Sequence, residues 1–209
     1  NKYVIKVYNM MLNDLVNRPN KTNWVSLLRD TLSNLGFRDV WLAQNIGNAK
    51  LFLSVFKQRV HDTFIQTWES RLNESSRALL YNNICNFTLQ PYLQICKITK
   101  FRQSLTRLRL SSHRLEIEAG RWNKPTATPF NERKCNNCNL LEDEYHFVLE
   151  CPLYVDLRKQ YLKKYFIQRP NMFKFILLIN STSDIEVRNL AMFIQKAFQI
   201  RNNYIFNIQ

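Results

Sequence analysis

Glycine is scarce in this chain, with three in 209 residues. That scarcity disfavours the tight turns of an all-β sandwich and any glycine-rich loop that cradles phosphate. Acidic side chains are also few, 16 against 30 Lys and Arg, for a formal net charge of +14. No apolar run exceeds five residues, as at Phe175–Ile179, so nothing approaches the length of a membrane-spanning helix. The first residues, Asn1-Lys2-Tyr3, begin no signal-peptide pattern. The sequence therefore reads as a soluble intracellular piece, nuclear or cytoplasmic, cut from a longer chain. Five cysteines, an odd number, argue against a secreted disulfide framework.

What is present is material for a core. Hydrophobic residues make up 45% of the chain, with 14 Phe, 9 Tyr and 4 Trp, well outside the composition of a disordered protein. The apolar positions recur at helical spacing. Tyr3, Val4, Val7, Met10, Met11 and Leu15 predict a helix over 3–16, broken by Arg18-Pro19-Asn20. Thr22 or Asn23 can cap a second helix, with Gly36 as its stop. Phe52, Phe56, Val60, Phe64 and Trp68 recur every four residues and predict a long helix over 48–72, either core or a docking face. Shorter patterns follow at 76–84, 98–108, 143–150, 153–166, 170–179 and 184–206. Period-2 alternation is almost missing. The predicted fold is all-α, an irregular multi-helix bundle with a small cysteine-bearing module inserted between helices.

The positive charge is uneven. Residues 97–134 hold ten Lys and Arg against three acids, half of the whole excess. Such a stretch suits a polyanion such as RNA or single-stranded DNA, bound through its phosphates. The candidate contacts are Arg107, Arg109, Arg114, Arg121, Trp122, Lys124, Arg133 and Lys134. Trp122, between Arg121 and Lys124, either stacks on an unpaired base or covers a small core. His113 is read as a structural residue, and Cys85 and Cys96 as small buried hydrophobes.

Directly after this stretch come Cys135, Cys138, His146 and Cys151, a C-x2-C-x7-H-x4-C array. Two cysteines separated by two residues form a knuckle, and a histidine plus a cysteine complete a tetrahedron. Three thiolates and one imidazole favour zinc. Pro152 pushes Cys151 out of helical geometry, which frees its thiol to turn inward; five residues along an uninterrupted helix would point it ~140° away from His146. A full protein shell marks a structural Zn2+, one per chain, rather than a catalytic one. No H-E-x-x-H is present, and the deaminase order of motifs is reversed. Glu144 and Glu150 are read as solvated helix charges.

Several segments together carry a likeness. Ser111-Ser112-His113-Arg114-Leu115-Glu116-Ile117-Glu118-Ala119-Gly120-Arg121-Trp122 leads into Asn131-Glu132-Arg133-Lys134-Cys135. Then follow Glu142-Asp143-Glu144-Tyr145-His146-Phe147, Cys151-Pro152-Leu153-Tyr154 and Leu157-Arg158. This resembles the C-terminal region of non-LTR (LINE-type) retrotransposon open reading frame 2 proteins, which carry a CCHC zinc-binding module downstream of their reverse transcriptase. The resemblance implies a thumb- or linker-like helical region over 1–110, the zinc module over 111–169 and C-terminal helices over 170–209. It implies that the parent protein is an RNA-directed DNA polymerase, and that this tail holds template RNA or target DNA and neighbours the reverse transcriptase domain. The polymerase signature itself is missing: Tyr154-Val155-Asp156-Leu157 lacks the paired aspartates that coordinate two metals. The expected function is therefore a non-catalytic, zinc-containing nucleic-acid-binding tail. The alternative is a zinc-stapled protein-interaction domain that touches no nucleic acid.

Overall fold

The computed structural model describes residues 2–206; the outermost ends of the expected first and last segments, Asn1 and 207–209, lie outside them. The described residues are helical throughout, with no strand and a single antiparallel bridge between Lys134 and Leu141. The all-α expectation holds. The chain divides into two compact units, residues 1–70 and 71–209.

In the first unit α1 (Lys2–Asn17) packs on α2 (Trp24–Asn34), and α2 on the short α3 (Arg38–Ala43). Asn23 caps α2: its side chain accepts from the Ser26 backbone N–H at 2.9 Å, while Ser26 Oγ accepts from the Asn23 N–H at 3.0 Å. This reciprocal box satisfies two donors that the helix cannot. At the other end Gly36 takes φ +82°. Gly36 N–H then bonds to Ser33 and Phe37 N–H to Leu32, a C-terminal closure that needs a left-handed residue. Only Leu15, Val25 and Leu32 are buried apolar residues here. The long α4 (Ala49–Glu74) starts within this unit, and Phe52 and Phe56 meet Phe37 with ring centroids 5.4 and 5.8 Å apart.

No residue of α4 is buried, so the core reading of its stripe does not hold. The reason is geometric. A recurrence of four overshoots the 3.6-residue turn by ~40° per step, so the row winds around the helix instead of marking one face.

The second unit is organised around α12 (Asp184–Phe206), which packs on α7 (Thr99–Arg109), α9 (Val155–Tyr161), α11 (Met172–Ile179) and the short α6 (Pro91–Ile95). Val187, Leu190, Ala191, Phe193, Ile194 and Ala197 are all buried, a stripe too wide for a surface helix and suited to a central one. Around it lie α5 (Leu79–Ile84), α8 (Glu116–Ala119) and α10 (Lys164–Ile167). One core cluster runs from Leu80 to Ala197 and takes residues from both sides of positions 110 and 169. A shared apolar core thus joins α7, the 135–151 segment and α12. Phe147 sits at its centre, stacked on Phe198 at 4.7 Å and edge-on to Tyr154 at 4.9 Å.

Candidate metal centre

The Lys134–Leu141 bridge closes a small hairpin. Cys135 N–H bonds to Leu140 O at 2.7 Å, Asn139 N–H returns to Cys135 O at 2.8 Å, and Glu142 N–H reaches Arg133 O at 2.9 Å. Asn139 makes the turn at φ +57°, a conformation that Asn tolerates better than most residues. The turn points the Cys135 and Cys138 thiols to the same side.

The other two candidate ligands come from a π-helical turn, His146–Glu150, rather than the expected α-helix. Its closing bond runs from Cys151 N–H to His146 O at 2.8 Å. Widening the turn to an i→i+5 bond brings residues five apart close together. Cys151 then leaves the helix at φ −51°, ψ 123° ahead of Pro152, as the proline requires. The ligand atoms of Cys135, Cys138, His146 and Cys151 lie within 4.8 Å of one another. Cys135 Sγ and Cys151 Sγ are 3.9 Å apart, and Cys138 Sγ lies 3.1 Å from His146 Nε2. The cluster is compatible with a metal site.

The thiols and the ring perturb one another electrostatically. The Cys151 thiol beside it draws Cys135 down to about 3, while Cys151 is itself pushed up by that partner and by burial. Burial also pushes Cys138 up. For His146 burial opposes the charge, but the Cys135 thiolate and Glu150 outweigh it and raise the ring. Four donors thus share protons in a space that suits one divalent ion. His146 Nδ1 is buried with no hydrogen bond and faces Glu150 Oε2 at 3.5 Å. Glu150 thus stands beside the ring while its own side chain stays 37% exposed.

Around the cluster stand groups the sequence did not announce. Glu142, directly after the hairpin, accepts from Arg201 Nε at 2.8 Å and Nη2 at 2.6 Å, and its Oε2 also accepts from Glu116 N–H at 2.7 Å. Both side chains of this pair are buried. Burial works against the Arg201 charge, but Glu142 outweighs it and holds the guanidinium above its ordinary range. Glu116, half-buried beside Glu142, is pushed up by burial and by that neighbouring carboxylate. Arg158 is also buried, and its Nη2 donates to Cys151 O at 2.5 Å. One signal was available: Arg201 falls in register with Leu190, Ile194 and Ala197, a lone charge on an apolar stripe, which demands a buried partner.

Glu144 needs a correction. It is buried, and its Oε1 accepts from Ser111 Oγ at 2.7 Å and faces His113 Nε2 at 2.9 Å. His113 Nδ1 accepts from Leu115 N–H at 3.3 Å, so the structural reading of that histidine is the one the contacts support.

The eight candidate nucleic-acid contacts separate into two groups. Arg109 and Arg133 are buried, with their guanidinium groups bonded to protein oxygens: Arg109 to Ile179, Gln90 and Asn180, Arg133 to Ile117 and Thr128. Neither lies on an exposed basic stripe. Their burial follows from the packing of α7 and from Gly120, where an added Cβ would stand 2.8 Å from Arg133 Cγ. Arg121 is committed to Glu118 at 2.9 Å and to Ser76 O at 2.7 Å. Arg107, Arg114, Lys124 and Lys134 are exposed, and none has an ion-pair partner among the described residues. Trp122 is 67% exposed, which excludes it as a core cover; the Arg77 guanidinium lies 5.5 Å from its ring centroid. No helix of the described residues is long and apolar enough to cross a membrane. No protein-family model matches the chain, and no curated protein or solved structure is detectably similar to it.

Proposed function

We propose that the chain is a non-catalytic nucleic-acid-binding module stapled by one structural Zn2+, the tail of a retroelement-type reverse transcriptase protein. One observation carries the reading: four exposed cations without ion-pair partners, Arg107, Arg114, Lys124 and Lys134, lead into a convergent four-ligand cluster. Tetrahedral zinc with bonds of about 2.3 Å to sulfur separates two thiolates by about 3.8 Å, and Cys135 and Cys151 stand 3.9 Å apart. Three thiolates and an imidazole favour zinc over harder cations. Four protein ligands leave no position for a reacting water. With three thiolates the loaded site adds only about −1, so the basic surface stays basic.

The exposed cations would neutralise phosphates, and the Trp122 ring offers a platform for an unpaired base. Zinc content near one per chain is expected from elemental analysis of the purified protein. Binding to single-stranded RNA or DNA should weaken with salt at about 0.7 log units per phosphate contact. Replacing Arg107, Arg114, Lys124 and Lys134 by Ala should therefore flatten that slope by about 3. Zinc-loaded protein that shifts no oligonucleotide at low salt would overturn the nucleic-acid part. A zinc-stapled interaction domain is the second reading, favoured by the exposed Val4, Ile5 and Met10 of α1. On that reading the fourfold substitution leaves partner binding unchanged.

A further inference from the structure

A pocket of about 300 Å³ opens between α5, α6 and the end of α11, lined by Asn83, Asn86, Gln90, Arg109, Asn180 and Thr182 among others. No acidic residue lines it. Arg109 reaches it from the last turn of α7 and is 2% exposed. Its Nη1 donates to Ile179 O at 2.5 Å. Its Nη2 donates to Gln90 Oε1 at 2.7 Å and to Asn180 Oδ1 at 3.3 Å, and the Tyr92 ring centroid lies 4.9 Å from the guanidinium carbon. Every one of these partners is neutral. No carboxylate among the described residues pairs with Arg109. Glu186, in the first turn of α12, is held by Lys163 and Ser181.

A buried guanidinium normally keeps a counter-ion, because an uncompensated charge in a poorly solvated site is costly. Ile179 closes α11, whose C-terminal carbonyls carry roughly half a negative charge; that offsets part of the cost and leaves the rest. Two other buried guanidinium groups also lack a carboxylate. Arg158 has the thiol cluster beside it, and Arg133 is wrapped by backbone carbonyls. Arg109 differs in lining a cavity with polar walls. Two of its five N–H groups carry no bond to the protein, and the Asn180 amide and Thr182 hydroxyl have donors unused among the described residues.

We propose that this pocket binds a phosphate group, with the Arg109 guanidinium as its anchor and the Asn180 and Thr182 side chains as further donors. A guanidinium presents a planar fork matched to an oxyanion, and the cavity leaves room for an ester substituent. The phosphate comes either free or as the terminal phosphate of a nucleic-acid strand. The pocket does not depend on the exposed cations, so it stands even if they bind no strand.

The test is thermal melting of the full chain in chloride, acetate and inorganic phosphate at matched ionic strength. Phosphate should raise the midpoint, while acetate leaves it at the chloride value. Gln90→Glu places a carboxylate where an amide oxygen now accepts from Nη2. It should raise the midpoint in chloride and abolish the phosphate response. Thr182→Val should weaken phosphate binding several-fold without changing the midpoint in chloride. A wild-type midpoint that ignores phosphate, an equal response to acetate, or an undiminished response in Gln90→Glu each overturns the proposal. A 5′-phosphorylated oligonucleotide binding tenfold tighter than its 5′-hydroxyl form, with the difference lost in Gln90→Glu, identifies the strand terminus as the source. Equal binding of the two oligonucleotides, with the phosphate response intact, identifies free phosphate.

Discussion

Arg201 and Glu142 form a buried bidentate pair that ties the end of α12 to the residue following the knuckle hairpin. Removing one member of such a pair strands the other charge in the core, at a cost of about 3–5 kcal/mol. Glu142→Gln and Arg201→Met should each lose that much in urea denaturation, and the Glu142→Met/Arg201→Met double variant much less. A double variant as unstable as the singles combined would show that the charges act independently. Glu186 supplies the pH dependence. Its hydrogen bonds from Lys163 and Ser181 hold its carboxyl below the ordinary value of 4.5. A depressed folded-state pKa stabilises the fold above the unfolded value, and that stability is lost as pH falls through the folded one. The pair is partly exposed on the Lys163 side, so the effect is at most about 1 kcal/mol. Wild type should therefore exceed Glu186→Gln in stability at pH 6–7, and the gap should close as pH falls through the depressed folded-state pKa. A gap that persists at low pH would assign the loss to packing instead.

The π turn at 146–150 is the element on which the cluster depends. Its i→i+5 bond and the extended Cys151 bring His146 and Cys151 into the same cluster, and Pro152 fixes the exit. Pro152→Ala restores backbone freedom to the unfolded chain and to Cys151. It should cost about 0.4–1 kcal/mol and weaken metal retention measured against a chelator, with the helices otherwise unchanged by circular dichroism. Unaltered metal affinity would show that packing alone holds the turn. A helix was legible here in the apolar Phe147, Val148 and Leu149, and its end was legible in the proline. The π geometry was not, because α and π turns bury nearly the same side chains and differ only in how Cys151 must face a tertiary partner. The recurrence of four along α4 misled for the opposite reason: its row winds around the helix, so that Phe52 and Phe56 meet Phe37 while no residue of the helix is buried.

At the scale of the whole molecule, the Cys3His cluster and the core are continuous in the second unit. Phe147, Val148 and Leu149 lie between two ligands and inside the cluster that surrounds α12. Removing the ion with a chelator should therefore abolish amide-exchange protection over 134–151 and loosen α12. The first unit has its own small set of packed groups, Leu15, Val25 and Leu32, and its protection should not change. Equal loss in α1 and α2 would contradict that. The helical class, the four candidate ligands and the excess of positive charge were all legible in the sequence alone, since each rests on spacing or composition along the chain. Which cations face solvent was decided only by tertiary structure. Arg107 and Arg109 sit two residues apart on α7, yet one is exposed and the other is buried against α11. Charge is a property of a residue, whereas its availability depends on which neighbours the fold brings to it.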